Sequence, residues 1–359
     1  MILLFSYLPM IQINRPSLLL TGVLWYIWSH TAVALAEAWY EPIIVDSLVN
    51  ADAWVVDRLE HIMGYRPTWY RGDLRDRAVL QEIFAQHTIE GVLHFAGLKA
   101  VGESCVQISA YHDANISSTL RLLEVMQEYN VKRLIFSSSA TVYAGTNTMP
   151  LTEKSWVWDT TNPYGTTKLV IEQLLHDYGR HLGWSIALLR YFNPIGAHPS
   201  GLIGEQPRGR PNNLLPYIMQ VAAGKRDKLG VFGNDYDTVD GTGVRDYIDV
   251  MDLAAWHLCA YEWLSSRPLH DVAITDGAGA VPINLGVGRG WSVMEMVTLV
   301  EEVTGCTIPY EILPRRTGDL PLVYSDPTYA HKLLWRQAKR SIMTSIATSW
   351  QFAREVYMS

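Results

Sequence analysis

The sequence predicts an α/β protein: a Rossmann-like doubly wound parallel sheet with a smaller C-terminal α/β lobe. The first part of the 359-residue chain alternates short, almost continuously apolar runs with amphipathic segments. This alternation is typical of β–α–β units whose strands are covered by helices on both faces. After residue 193 the chain becomes rich in Pro, Gly and Asn, which indicates long loops and a change of architecture.

The apolar runs predict the strands in order, at Ser17–Gly22, Pro42–Ser47, Thr68–Asp73, Gly91–Gly97, Arg133–Ser139, Ser185–Asn193 and, much later, Val281–Gly286. Apolar residues at a spacing of three to four predict helices at Arg77–His87 and Ser118–Tyr129, and a further helix is expected at Ser292–Gly305. Residues 17–193 are predicted to form the first domain. Residues 194–359 are predicted to form mainly the second lobe, with segments that return to the first. A ligand crevice is expected at the carboxyl ends of the strands.

Composition excludes several classes of function. The net charge is −7 and no long basic run occurs, which argues against a nucleic-acid partner held through phosphates. Cys105, Cys259 and Cys306 show no C-x-x-C spacing, so neither a metal site nor a disulfide framework is expected, and a cytoplasmic location fits.

Residues 1–16 are an apolar extension of unknown role. They lack a basic leading segment and the ~20-residue apolar span of a membrane helix, so membrane anchoring is the less favoured alternative.

The sharpest chemical signal is the pair Tyr164 and Lys168 in the segment PYGTTK. On a helix their spacing places both side chains on one face. An ammonium beside a tyrosine hydroxyl favours the phenolate, so we expect a lowered tyrosine pKa and a general base. The alternative is that the two residues form a pair on the helix surface without a catalytic role. Upstream, a strand ends in the serines 137–139, which could contact a reacting oxygen, and at least one of them is expected to cap a helix instead.

Several longer motifs carry a specific resemblance: HFAGLKAVGES (His94–Ser104), FSSSATVY (Phe136–Tyr143), LLRYFNPIGAHPSG (Leu188–Gly201), DGTGVRDYI (Asp240–Ile248) and PRRTGDLP (Pro314–Pro321). In these motifs the chain resembles the UDP-glucose 4-epimerases (UDP-galactose 4-epimerases) of the extended short-chain dehydrogenase/reductase superfamily, from about Leu18 to Trp350. The resemblance implies an isomerase with bound NAD, UDP-glucose and UDP-galactose as substrates, and, by analogy, a homodimer.

The resemblance also implies residue roles. Ser139, Tyr164 and Lys168 match the catalytic set. Tyr164 would take the proton of the sugar 4-hydroxyl while hydride passes to NAD and returns on the other face of the rotated 4-keto sugar. The implied cofactor contacts are Gly22, Tyr26, Ile27, Asp46, Asn50, Asp73, Leu74, Phe95, Ala96, Gly97, Lys99, Asn115 and Phe192. The implied substrate contacts are Lys99, Ser139, Tyr164, Asn193, Asn213, Leu214, Arg245, Arg316 and Asp319.

Two of these roles also follow from residue chemistry. Asp46 ends the second predicted strand, 24 residues after Gly22, where a carboxylate accepts from a ribose 2′-hydroxyl and favours NAD over NADP. Its alternative role is a helix cap. Arg245 and Arg316 suit a pyrophosphate because a guanidinium donates two hydrogen bonds at once, and their alternative role is a surface salt bridge.

Departures from the family pattern raise alternatives. The first loop reads TGVLWYIWSHT, with Trp25 and Trp28 at the positions of the second and third glycines, and Trp39 and Trp256 also stand where Gly is common. An alternative function is therefore an epimerase-like protein with a damaged NAD loop.

Val323 occupies a position where some relatives carry Tyr, so a further alternative is an epimerase that also accepts UDP-N-acetyl sugars. A sugar-nucleotide dehydratase is disfavoured, because Ala140 and Thr141 replace its Asp–Glu pair.

Overall fold

The computed structural model describes residues 15–269, 279–316 and 318–358. Its strands are β1 (Ser17–Thr21), β2 (Glu41–Asp46), β3 (Trp69–Arg71), β4 (Ile89–His94), β5 (Arg133–Ser139), β6 (Ser185–Tyr191), β7 (Asn193–Ile195), β8 (Leu229–Phe232), β9 (Val244–Asp249), β10 (Val281–Leu285), β11 (Gly290–Ser292), β12 (Tyr310–Leu313) and β13 (Leu322–Val323). Seven of them form one parallel sheet in the order β10-β6-β5-β4-β1-β2-β3. The predicted doubly wound parallel sheet is confirmed.

The α-helices of the described residues are α1 (Tyr26–Glu37), α2 (Trp54–Met63), α3 (Arg77–Gln86), α4 (Val101–Ser104), α5 (Ile108–His112), α6 (Ser118–Glu128), α7 (Pro163–Leu182), α8 (Leu214–Ala222), α9 (Val250–Ser265), α10 (Val293–Thr304), α11 (Thr328–Leu334) and α12 (Ile342–Tyr357). A π-helical turn (Asp113–Ser117) precedes α6, and a 3₁₀ turn (Ala140–Val142) follows β5.

Both faces of the large sheet are buried because neighbouring residues of each strand point to opposite cores. In β1, Leu18 and Leu20 pack with α1 and α9, whereas Leu19 packs on the other face with α3, α6 and α7. This arrangement explains why the strands read as almost continuous apolar runs. The predicted strand boundaries differ from the observed ones by a few residues at most.

One predicted strand, Ser185–Asn193, is divided in the structure. The segment β6 ends at Tyr191 in the large sheet, and β7 begins at Asn193 and pairs with β9 in a second sheet. Between them the Phe192 N–H still donates to the Leu285 carbonyl of β10. The chain therefore crosses from one sheet to the other within a single residue, which places Phe192 and Asn193 at the junction.

The second lobe contains a four-stranded sheet (β7, β9, β11 and β13) and the parallel pair β8–β12. Its apolar core lies among α8, α10 and α12. Strand β10, from the later part of the chain, returns to the edge of the large sheet. The division into domains at residue 193 stays a prediction. In the described part of the chain no helix is long and apolar enough to cross a membrane, and residues 1–14 of the predicted extension lie outside the described residues.

Two tryptophans adopt the left-handed backbone conformation, which L-residues other than Asn and Asp rarely occupy. Trp39 has a φ of 72° and Trp335 a φ of 50°. Trp335 ends α11 and is 92% exposed, so no packing compensates for its conformation. Trp39 is half-exposed, and the Arg15 guanidinium lies 4.2 Å from the centre of its ring.

We expect W335G to raise the free energy of unfolding by roughly 0.5–1 kcal/mol, since left-handed strain of about 1–2 kcal/mol outweighs the added flexibility of the unfolded chain. W39G should gain less because it loses the cation–π contact. Denaturant unfolding followed by circular dichroism measures both. The control is W158G, at another exposed tryptophan (58%) without a positive φ. A W335G protein no more stable than W158G would contradict the strain argument.

Candidate active site

The carboxyl end of β5 carries the three serines, and the last of them meets the N-terminus of α7. The Ser139 Oγ accepts hydrogen bonds from the Thr141 N–H at 3.2 Å and from the Thr141 hydroxyl at 3.0 Å, so it caps the 3₁₀ turn. A further hydrogen bond joins Ser139 to the Tyr164 side chain. The expected capping role is confirmed, and the capping serine is the one for which the resemblance implies a catalytic role.

Helix α7 begins against this turn. Asn162 caps it by accepting from the Gly165 N–H at 2.9 Å, and Pro163 occupies its first turn. A Cβ on Gly165 would lie 2.5 Å from the Thr141 carbonyl oxygen. Only glycine therefore allows the helix to lie this close to the end of β5, and this approach brings Tyr164 to Ser139.

Tyr164 and Lys168 share the inner face of α7, as their spacing predicts. The Lys168 ammonium, however, donates its hydrogen bonds to strand β5 and not to Tyr164. The Lys168 Nζ donates to the Ser137 carbonyl at 2.7 Å and to the Ser137 Oγ at 3.3 Å, and it lies 5.9 Å from the centre of the Tyr164 ring. Burial lowers the pKa of Lys168 to about 7, partly opposed by the charge of Glu172.

The pKa of Tyr164 differs from the expectation. Burial raises it to about 12, and the hydrogen bond from Ser139 opposes this only in part. The sequence predicted a lowered tyrosine pKa. That direction is wrong, because desolvation of the phenolate outweighs the attraction of an ammonium that bonds elsewhere. Tyr164 is therefore a neutral hydroxyl until further positive charge arrives.

The predicted cofactor crevice lies where β1 and β4 end. Gly22 has a φ of 73°, and a Cβ there would lie 2.7 Å from the Ala96 Cα, so this first glycine is required. The Asp46 carboxylate accepts from the backbone N–H groups of Leu24 at 2.9 Å and Leu48 at 2.8 Å. It thus holds the loop, and its role toward a ribose stays a prediction.

The start of α1 has the features of an anion site. No side chain caps it, and Trp25 there has ordinary extended backbone angles. The side chains of Tyr26 and Ile27 turn into the core, with the Tyr26 hydroxyl donating to the Gly196 carbonyl at 2.8 Å. Their N–H groups at the helix start suit a phosphate. Together with Gly22 and Asp46, these features fit the phosphates and adenosine ribose of NAD.

The two loop tryptophans find different surroundings. The Trp28 ring is buried and stacks on Phe95, with ring centres 4.5 Å apart and planes 7° apart, and it also lies 5.9 Å from the Tyr191 ring. Trp25 is half-buried beneath Lys99, whose Nζ is 5.1 Å from the indole centre, and its Nε1 has no hydrogen-bond partner among the described residues. The Trp28 indole thus turns into the core, whereas the Trp25 indole stays beside the loop, and the effect of either on NAD binding stays a prediction.

Other predicted cofactor positions have internal partners. The Asn115 side chain bonds the backbone of Leu98 at 2.7 and 3.0 Å and the Thr167 hydroxyl at 2.9 Å, so it ties the loop after β4 to α7. Asp73 pairs with Arg75 at 2.6 Å on the surface. Leu74 and Phe192 are buried, Gly97 lies against Asn115, and Asn50 is exposed. A cofactor contact for each stays a prediction.

Three predicted substrate residues lie together in the second lobe. The Arg316 Nε lies 2.7 Å from the Asp319 carboxylate, and an Arg245 Nη lies 3.9 Å from it. Asp319 thus draws both guanidinium groups to one place. The salt bridge that sequence reasoning offered as the alternative is present, and one shared carboxylate leaves a net positive charge there. Asn193 begins β7 and Leu214 begins α8.

Sequence reasoning missed three charged residues. Glu205, 9% exposed at its side chain, accepts from the Asn213 amide at 2.7 Å and lies 3.9 Å from the Lys99 Nζ. Glu172 and Arg190 form a buried pair behind Lys168. The spacing of Tyr164, Lys168 and Glu172 was the available signal for Glu172. In the described part of the chain, no group of three or more His, Cys, Asp or Glu could hold a metal ion.

Comparisons with known proteins show which proteins this chain is similar to. Residues 18–274 match the model of the NAD dependent epimerase/dehydratase family. The chain is 48% identical over 336 residues to a UDP-glucose 4-epimerase of Neisseria meningitidis serogroup C, covering 93% of this chain and 96% of the relative. It is also 48% identical over 337 residues to a UDP-glucose 4-epimerase of Bacillus subtilis (strain 168), covering 94% and 96%.

Solved structures show the same similarity. The UDP-glucose 4-epimerase of Stenotrophomonas maltophila, with bound NAD and formylated UDP-arabinopyranose, superposes with a TM-score of 0.89 at 43% identity, covering 95% of this chain and 98% of that one. That of Bifidobacterium longum, in complex with NAD⁺ and UDP, superposes with a TM-score of 0.88 at 44% identity, covering 94% and 98%.

The buried Lys168 makes stability depend on pH. Its pKa falls from its ordinary value of about 10.4 to about 7 on folding, so the folded state binds fewer protons between these values. The stability of the wild-type protein should therefore rise relative to K168M as pH increases from 7 to 10, by roughly 1 kcal/mol per pH unit. Denaturant unfolding at pH 7, 8 and 9 measures this. A constant difference between the two proteins would contradict the lowered pKa of the buried Lys168.

Proposed function

Because the chain belongs to the NAD dependent epimerase/dehydratase family, we propose that it interconverts UDP-glucose and UDP-galactose. The reaction is a transient oxidation at the sugar 4-carbon, with the hydride held on bound NAD. The observation that carries the proposal is the meeting of Ser139, Tyr164 and Lys168 at the carboxyl end of a strand in a parallel sheet, where doubly wound folds bind ligands.

Each catalytic residue has a proposed task. The Tyr164 hydroxyl exchanges the proton of the sugar 4-oxygen, and Ser139, which already bonds Tyr164, contacts the same oxygen. Lys168 supplies positive charge from beneath the tyrosine ring. NAD, when bound, would supply the hydride acceptor and donor together with a positively charged nicotinamide. Positive charge of this kind beside Tyr164 would favour the phenolate, which burial alone disfavours.

The two ends of the ligands have separate supports. Gly22, Asp46 and the uncapped start of α1 would hold the ribose and phosphates of NAD. In the second lobe, Arg245 and Arg316 would hold the UDP diphosphate, since planar guanidinium groups donate two parallel bonds to phosphate oxygens. Asp319 orients both of them. Asn193, Asn213, Leu214 and Lys99 are the remaining proposed UDP-sugar contacts.

The first alternative is an epimerase-like protein that does not retain NAD. The observation that favours it is the stack of Trp28 on Phe95, at the end of the strand that should meet the cofactor. The second alternative is an epimerase that also accepts UDP-N-acetyl sugars. It is favoured by Val323, whose small side chain packs against the cluster that contains Phe192, next to Asn193.

Y164F should lower kcat for UDP-galactose by ~10²–10⁴-fold, because the acid–base hydroxyl is lost. A coupled assay with UDP-glucose dehydrogenase measures the conversion, and NMR of the sugar nucleotides formed from UDP-N-acetylgalactosamine tests the wider specificity. The matched control is Y178F, which alters a tyrosine on α7 that packs against Trp184. Equal activity of Y164F and Y178F would refute the catalytic assignment, and turnover of UDP-galactose alone would exclude the wider specificity.

The double variant W25G/W28G separates the active enzyme from the impaired alternative. If the glycine loop of the wild-type protein retains NAD, acid release should yield about one NAD per chain before and after the change. If the tryptophans block it, wild-type protein purifies without NAD and the double variant gains it. Absorbance of the released cofactor measures the content. Absence of NAD from both proteins, even after incubation with NAD, would contradict the proposed hydride transfer.

A further inference from the structure

Each of the three serines at the end of β5 is joined to one residue on the inner face of α7. Ser137 accepts from Lys168, and Ser139 bonds Tyr164. Between them, the Ser138 hydroxyl donates to Glu172 at 2.5 Å. The helix residues are Tyr164, Lys168 and Glu172, at intervals of one helical turn. Tyr164 and Lys168 are thus two of the three helix residues in this strand–helix contact. The third, Glu172, has no assigned role.

Glu172 holds a second partner on the far side. Its Oε2 lies 2.6 Å from an Arg190 Nη, and its Oε1 accepts from the Arg190 Nε at 3.0 Å, so the pair is bidentate. The side chains are 1% and 4% exposed. Arg190 lies on β6 directly opposite Ser138 and also donates to the Tyr143 hydroxyl at 3.0 Å. This degree of burial separates the Glu172–Arg190 pair from solvent.

We propose that Glu172 is a positioning residue of the catalytic site. Its carboxylate fixes the end of β5 against α7, and its negative charge favours the protonated form of Lys168 beneath Tyr164. Arg190 holds the carboxylate in place through its bidentate contact. This inference rests on the proposed function for its catalytic meaning, whereas the contacts themselves hold for any reaction at this site.

The charges that face Lys168 come from three elements besides β5. Helix α7 contributes Tyr164 and Glu172, and β4 contributes His94. Strand β6 contributes Arg190, which is paired with Glu172. Burial lowers the pKa of His94 to about 3, and burial raises that of Tyr164, so both are neutral near pH 7. Among these groups Glu172 is therefore the one that stabilises the ammonium, and it raises the pKa of Lys168 against burial.

If the Glu172–Arg190 pair served only to stabilise the fold, the two single variants would affect Lys168 alike. Removing either partner of a buried pair leaves an uncompensated charge, so E172Q and R190M should both destabilise the fold. Their effects on Lys168 differ. E172Q removes the attracting charge and leaves a repelling cation, whereas R190M removes the cation and leaves the carboxylate.

The experiment is a titration of Lys168 by ¹³C NMR on protein labelled at lysine. The chain has eight lysines, and loss of one resonance in K168M assigns the signal. In E172Q the titration midpoint of Lys168 should fall by about one to two pH units, as expected for a unit charge one helical turn away. In R190M the midpoint should stay or rise. The alkaline limb of kcat/KM should move with the midpoint.

An unchanged midpoint in E172Q, or an equal fall in both variants, would overturn the proposal. If either single variant does not fold, E172Q/R190Q removes both charges together. The midpoint should then still fall, because Glu172 is the nearer charge, and an unchanged midpoint would again overturn the inference. The NMR readout needs no turnover. An inactive wild-type protein with the expected shifts would therefore reject the epimerase function and leave the positioning role standing.

Discussion

The contact between the end of β5 and the inner face of α7 is the constraint on which the rest of the site depends. It exists because Gly165 lets the helix begin against the Thr141 carbonyl, and because three successive serines each bond a residue of the helix. Every group in this contact is largely withdrawn from water. Burial then sets the chemistry: it makes Tyr164 hard to ionise and Lys168 easy to deprotonate. The site needs added positive charge before the tyrosine can act as a base.

Much of the fold follows from the sequence, because strands buried on both faces must be apolar throughout. The start and end of β5 were predicted to the residue, and Gly22 and Gly165 lie where the backbone demands glycine. The pair of Glu172 with Arg190 could not be predicted in the same way. It joins residues 18 apart through the register of β5 and β6, which no local spacing reveals. The raised pKa of Tyr164 was not predicted from the sequence. Residue spacing indicates only that two side chains are close, whereas the desolvation that raises this pKa depends on how the surrounding residues pack.

The tryptophans at glycine positions show three different outcomes. Where the backbone angles are ordinary, as at Trp25, the substitution changes only what fills the space beside the loop. Where the backbone is left-handed, as at Trp39, the side chain adds strain that glycine would not. Trp28 is a third situation, since its indole enters the core and stacks on Phe95. The cofactor loop therefore keeps its helix start and its first glycine.

The measurement that tests the central claim most directly is the fate of the hydrogen on the sugar 4-carbon. UDP-galactose deuterated at C4 is incubated with the protein in ordinary water, and the UDP-glucose formed is examined by NMR. If Tyr164 exchanges only the hydroxyl proton while the hydride is held and returned within the site, the product keeps its deuterium at C4. Product that carries solvent hydrogen at C4 would contradict this account of the site.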